Sequence, residues 1–180
     1  MTFEEKILNT RVIYEGKVFT VRQDVVTTAN GGTGIRDVIE HNGGVAVAAL
    51  TPEKKLIMIR QYRIAAGEVV WEIPAGKLEA DETGNHLLTA KRELKEETGW
   101  EAENWRHLTK FYGTIGYCTE MIDIYRADVT VKGETHFDPS EAIDLYEMEI
   151  PELIGMIESG EIKDAKTIVA ILMTARELGL

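Results

Sequence analysis

The stretch Arg92–Trp100, RELKEETGW, places Glu93, Glu96 and Glu97 close together. In a helix, positions three and four apart are neighbours on one face, so Glu93 meets both of the others. Like charges at that spacing disfavour a helix by roughly 0.2–0.5 kcal/mol per pair. Water and salt, a basic partner or a bound cation must offset that cost. A solvated acidic face is the simplest of these answers. The other is a hard-cation site, because Mg²⁺ takes oxygen ligands in octahedral geometry and keeps several waters. The glycine-containing loop EIPAGKLEADE, Glu72–Glu82, precedes these residues and could add a backbone carbonyl. Such a site favours phosphoryl transfer: a metal ion neutralises phosphate charge, orients the ester and lowers the pKa of an attacking water.

The elements that must hold these groups are legible around them. Residues 86–98 have helical spacing, with Leu87, Leu94 and either Ala90 or Lys91 on one side. Asn85 suits an N-cap and Gly99 the position after the last turn. GGVAVAAL and KLIMIRQYR are short apolar runs separated by TPEK, and they predict buried strands joined by a turn. VVWEIP predicts a strand leading into the loop. FYGTIGYC, EMIDIYRADV and AIDLYEMEI predict strands or strand-flanking loops, and PELIGMIESG and AKTIVAILMTARELGL predict helices. Residues 11–28 alternate as strands do, with a turn at Gly16; NGGTG, Asn30–Gly34, signals a hairpin, and IRDVIEH follows as another strand. The expectation is an α/β or α+β fold with a mixed sheet: a small antiparallel sheet unit over residues 1–42, then a larger domain over 43–180.

The composition narrows the function classes. The chain has 180 residues, 44% hydrophobic, and a formal net charge of −11. That surface repels phosphate backbones, so a general nucleic-acid-binding face is excluded. A polyphosphate would need local cations to overcome the field. Cys118 is the single cysteine, so no intrachain disulfide forms. No apolar run approaches the ~20 residues that span a bilayer, and MTFEEKILNT carries no secretory pattern. The expected setting is cytoplasmic, with no membrane. His41, His86, His107 and His136 show no metal-ligand spacing and read as polar surface or loop. Trp71 reads first as a packing residue, with substrate stacking as the alternative.

The signature residues resemble those of a known family, the Nudix hydrolases, whose motif is G-x5-E-x7-R-E-U-x-E-E-x-G-U with U apolar. The chain has Gly76, then Glu82 after five residues, then RELKEETGW, which matches at every fixed position. The departure is the spacing between Glu82 and Arg92, nine residues in place of seven. The resemblance implies an α/β/α sandwich in which Glu93 and Glu97 are the principal ligands of Mg²⁺, or of Mn²⁺ in its place. Glu96 contributes directly or through water, and the carbonyl of Ala75 is a further ligand. Gly76, Glu82, Arg92 and Gly99 are then structural, with Arg92 pairing with a carboxylate such as Glu82.

RQYR, WEIPAGKLE, IRDVIEHNGGVAV and DAKT resemble the ADP-ribose pyrophosphatase branch of that family. The implied substrate is a nucleoside diphosphate derivative, foremost ADP-ribose, cleaved to AMP and ribose 5-phosphate. The alternatives are another nucleotide sugar, NADH or a dinucleoside polyphosphate, or a catalytically silent nucleotide sensor. The branch also implies a homodimer that exchanges its N-terminal sheet. Arg36 and Asp37 then lie on the adenosine side, Arg63 near the diphosphate and Glu120 on the substrate side. Glu141 matches a catalytic base, with a metal-shell or structural role as the competitor. Ile115 stands where the branch usually keeps proline, which implies a more freely moving wall beside the terminal sugar.

Overall fold

A computed structural model describes residues 3–79, 84–136 and 142–180. The chain divides into two compact units: residues 1–43 with 112–121, and residues 44–111 with 122–180. In the first unit, β1 (Lys6–Glu15), β2 (Thr20–Thr27) and β3 (Thr33–Glu40) form an antiparallel sheet in the order β1-β2-β3. The β2–β3 hairpin closes where the glycine cluster predicts. Gly31 takes φ 84°, which a residue without Cβ enters freely. β1 is exposed along its whole length, although it carries Ile7, Leu8, Val12, Ile13 and Tyr14.

Of the two expectations for FYGTIGYC, the strand-flanking loop is the one that forms after Tyr112. Residues 113–117 form bends and a turn, in which Cys118 N–H donates to the Thr114 carbonyl at 3.0 Å. Gly113 and Gly116 supply no side chain to pack on a sheet, which is the physical reason. The turn is tied to β3 instead: Ile39 N–H donates to Tyr117 O at 2.7 Å and Thr119 N–H to Ile39 O at 2.9 Å.

The second unit is built on β4 (Gly44–Leu50), buried at all its positions. Its side chains alternate between two cores. Val45, Val47 and Ala49 join one core with Ala90 and Leu94, while Ala46, Ala48 and Leu50 join the other with Leu153 and Ile171. A continuous apolar run is therefore what a strand covered on both faces requires. Around it lie β5 (Lys55–Arg63), β6 (Glu68–Glu72), β7 (Ala75–Lys77), β8 (Trp100–Tyr112), β9 (Met121–Lys132) and β10 (Ile143–Glu149). The sheet order is β10-β5-β4-β9-β8, with β6 on β5 and β7 on β4. β4 runs parallel to β9 and antiparallel to β5 and β7, so the sheet is mixed.

The helix α1 (His86–Thr98) packs on the first core. On the second pack α2 (Ile150–Glu158) and α3 (Ala165–Leu178). This is the expected α/β/α sandwich. α1 begins and ends where its caps predict: the Asn85 side chain accepts from Leu88 N–H at 3.3 Å, and Gly99 takes φ 73°. A Cβ on Gly99 would lie 2.5 Å from the Gly133 carbonyl oxygen, so close approach and left-handed backbone both demand glycine there. Of the alternatives for its buried side, Ala90 is buried and Lys91 exposed. α2 carries Pro151 in its first turn, and Asp164 caps α3 by accepting from Thr167 N–H at 3.1 Å. Among the described residues, no helix is long and apolar enough to cross a membrane.

Candidate active site

The second unit presses α1 against β7, and that contact orders the glutamates. Glu97 is 4% exposed, and its Oε2 accepts from Ala75 N–H at 3.0 Å. Glu93 lies on Gly76 so closely that a Cβ there would be 2.0 Å from its Cδ. The signature glycine therefore makes room for a carboxylate. Arg92 supplies the local positive charge. Its Nη1 lies 2.8 Å from Glu93 Oε1 and 2.9 Å from Glu96 Oε2, the latter an i,i+4 pair. This is one answer to the repulsion in the sequence. The expected partner, Glu82, lies outside the described residues, as does Glu141; the described partners of Arg92 are on its own helix.

Among the described residues, no three His, Cys, Asp or Glu side chains converge as they stand on a common metal position. The chemistry of the donors nonetheless fits a hard divalent cation. Glu93, Glu96, Glu97 and the backbone of Ala75 offer oxygen alone, with no thiolate or imidazole in the set. Glu93 and Glu97 are already held against the loop, and Glu96, 41% exposed in its side chain, is held only by Arg92 on its own helix among the described contacts of its carboxylate.

Arg63, at the end of β5, binds Glu72 as a fork: Nε to Oε1 at 2.6 Å and Nη2 to Oε2 at 3.0 Å. Burial pushes the Glu72 carboxyl up, and the Arg63 and Lys166 contacts outweigh it, so its pKa lies below the ordinary carboxylate value. The same bond to Glu72 raises Arg63, and the charge of Glu97 adds to that effect. Arg63 and the buried glutamate of α1 thus share one electrostatic environment. Trp71, next to Glu72, packs on the core and donates from Nε1 to Glu161 at 3.1 Å.

The remaining candidates belong to the first unit. Arg36, on β3, binds Glu5 through Nε at 2.9 Å and Nη2 at 2.5 Å. Asp37 accepts from Gln23 Nε2 at 2.9 Å. Glu120 has its Oε1 3.6 Å from His41 Nδ1, and its backbone carbonyl accepts from Gly113 N–H at 3.2 Å. Ile115 is 78% exposed on the turn. Cys118 is half-buried and free.

Two charged groupings escape the sequence reading. His86 Nδ1 and His107 Nε2 each lie 2.7 Å from the Asp123 carboxylate, and Lys110 Nζ lies 3.1 Å from it. His107 lies on the surface, as the sequence reading has it, while His86 is half-buried at the start of α1; both are paired with Asp123. Burial pushes Asp123 up, and the bonds from His86, His107 and Lys110 bring it below the usual carboxylate value. Because His86 opens α1, this cluster fastens the start of the glutamate helix to β9. The other grouping is Glu72 with Lys166. Its sequence signal is present only as the fragments WEIPAGKLE and DAKT, far apart in the chain.

With this geometry in view, similarity to known proteins is informative. The NUDIX domain family matches residues 40–170, and the nucleoside diphosphate sugar hydrolase N-terminal domain matches residues 5–39. The chain is 40% identical over 171 residues to a methanol dehydrogenase activator of Bacillus methanolicus, covering 94% of this chain and 91% of that one. It is 36% identical over 172 residues to an ADP-ribose pyrophosphatase of Bacillus subtilis (strain 168), covering 94% and 92%. A crystal structure of an ADP compounds hydrolase shares the fold, with a TM-score of 0.84 at 20% identity over 98% of this chain and 95% of the other. The chain belongs to the Nudix family and is a Nudix pyrophosphohydrolase acting on nucleotide derivatives.

Proposed function

We propose that the protein hydrolyses the pyrophosphate bond of ADP-ribose, giving AMP and ribose 5-phosphate. The observation that carries this reading is the seating of Glu93 and Glu97 on Ala75 and Gly76, with Arg63 in the same field. Similarity to an ADP-ribose pyrophosphatase along nearly the whole chain supports it. Glu93, Glu96, Glu97 and the Ala75 carbonyl would hold Mg²⁺, with Mn²⁺ able to replace it. When bound, the ion supplies charge neutralisation and orientation to the diphosphate. Arg63 offers a guanidinium to phosphate oxygens. Arg36 donates to the nucleoside, and Asp37 accepts from the adenine amino group. Glu120 faces the substrate, and Glu141 takes the proton of the attacking water as its oxygen bonds to phosphorus and the P–O–P bridge breaks. Gly76, Glu82, Arg92 and Gly99 hold the loop and helix in place.

The test is a panel of ADP-ribose, other nucleotide sugars, NADH and dinucleoside polyphosphates, with products identified and kcat/KM compared in wild type and Ile115→Pro. ADP-ribose is expected to be cleaved with looser discrimination at the second sugar than Ile115→Pro shows. Efficient cleavage of another member with none of ADP-ribose would overturn the substrate. No turnover of any member with divalent metal present would favour a nucleotide sensor. A second reading follows from the 40% identity to an enzyme activator: the hydrolysis serves to activate a dehydrogenase. Stimulation of a purified dehydrogenase by wild type but not by a Glu97 variant would favour it.

The same reading includes a homodimer. A strand exposed over ten residues, carrying Ile7, Leu8, Val12, Ile13 and Tyr14, is an edge that needs a cover. The 1–42 sheet unit would meet a second copy and contribute Arg36 and Asp37 to its site. Sedimentation at micromolar concentration is expected to give a dimer, and Val12→Lys with Leu8→Lys is expected to give inactive monomers. A fully active monomer would sink the assignment. A cytoplasmic location accords with this chemistry.

A further inference from the structure

We propose that Lys166 is the positioning residue that leaves the Arg63 charge uncancelled toward a diphosphate. The inference rests on the reading of Arg63 as a phosphate contact. Alone, the Arg63–Glu72 fork would be a closed pair. Opposite charges with N–O distances of 2.6 and 3.0 Å cancel over the range at which a ligand arrives. Glu72 is 3% exposed, so water screens that cancellation poorly.

Lys166 alters this balance. Its Nζ lies 2.5 Å from Glu72 Oε2, the same oxygen that Arg63 Nη2 uses. Arg63, Glu72 and Lys166 together carry one net positive charge, at the end of the set that Arg63 exposes. The Lys166 side chain is 12% exposed against 44% for Arg63, so lysine acts through the shared carboxylate and arginine meets the ligand. Arg63 Nη1 donates no hydrogen bond to the described residues and is the edge left for a phosphate oxygen. Two further acids face the set: Glu97, whose charge reaches Arg63, and Asp164, 3.0 Å from Lys166 Nζ. Asp164 also caps α3, where Oδ2 accepts from Thr167 N–H at 3.1 Å and from Thr167 Oγ1 at 2.5 Å, so the helix N-terminus holds its charge in place.

A purely structural role for Lys166 would be to fasten α3 to β6. That task has another bearer: Ile73 N–H donates to Thr167 Oγ1 at 3.0 Å, with both residues fully buried. Lys166→Met keeps the aliphatic stem and removes the charge, so the helix stays attached while Glu72 falls wholly to Arg63.

The experiment measures KM and kcat with the best substrate of the panel. The variants are Lys166→Met, Lys166→Gln, Lys166→Arg, Arg63→Ala and the double variant Arg63→Ala, Lys166→Met, each with a thermal melt. Lys166→Met and Lys166→Gln are expected to raise KM about tenfold with kcat within about twofold, and Lys166→Arg to restore KM. The double variant is expected to be no worse than Arg63→Ala, because lysine acts through arginine. A wild-type KM in the folded Met and Gln variants overturns the proposal, as does full additivity with Arg63→Ala. If Arg63→Ala raises KM and the Lys166 variants do not, only the role of Lys166 fails. If Arg63→Ala leaves KM unchanged, the phosphate reading of Arg63 fails, and this inference with it.

Discussion

Glu97→Gln is expected to lower kcat/KM by at least about a hundredfold while the protein stays folded, since a ligand charge that supports a metal ion is worth several kcal/mol at ~1.4 kcal/mol per factor of ten. The substitution keeps the volume of the side chain. Glutamine also keeps an oxygen that can accept from Ala75 N–H, the contact made by Glu97 Oε2 at 3.0 Å. The charge is removed, and the other oxygen becomes an amide N–H₂ donor. Glu97 is 4% exposed, so water cannot replace that charge. A melt should therefore show no loss of cooperativity, and saturating Mg²⁺ should not restore the rate. Excess chelator should bring wild type down to the level of the variant. Near-wild-type turnover at saturating Mg²⁺ would mean that Glu97 serves only to hold Ala75. Loss of folding would mean that its charge balances a cation in the free protein.

The parts of this site written in local pattern were legible in the sequence. Asn85 and Gly99 bracket α1 because a cap needs only a short polar side chain or a residue tolerant of φ 73°, and both needs are visible one residue at a time. β4 was legible because seven consecutive buried positions leave an unbroken apolar run. β8 was not. Trp100–Tyr112 mixes exposed and half-buried positions, and its charged residues hide the strand period. The FYGTIGYC segment left strand and strand-flanking loop open, because its aromatic residues suit a strand while its glycines make a turn. The resemblance to a family supplied the signature residues, but spacing could not supply their partners. Asp123 gathers His86, His107 and Lys110 from a helix and a neighbouring strand. Glu72 gathers Arg63 and Lys166, the latter 94 residues away. Charges brought together by tertiary packing leave no periodic trace.

Gly76→Ala is expected to lose activity as severely as Glu97→Gln, at least about a hundredfold, yet to keep full stability. Glycine is not needed here for its backbone, because Gly76 is not among the residues with positive φ. Alanine fits the strand and narrows the unfolded ensemble, an effect worth about 0.4–1 kcal/mol in favour of folding. What alanine meets is the end of Glu93: the new Cβ would lie 2.0 Å from Cδ and 2.1 Å from Oε1. Rotating that side chain off its contact with Arg92 relieves the clash and moves the carboxylate out of the site. Stability and catalysis should therefore separate, with an unchanged or slightly higher Tm and a lost rate. If one displaced carboxylate is the whole cause, Gly76→Ala combined with Glu93→Gln should be no slower than the worse single variant. Independent, multiplying losses would mean that alanine also disturbs Ala75 and its hold on Glu97. A fast Gly76→Ala enzyme would show that Glu93 does its work from another rotamer, and would remove it from the ligand set in this conformation.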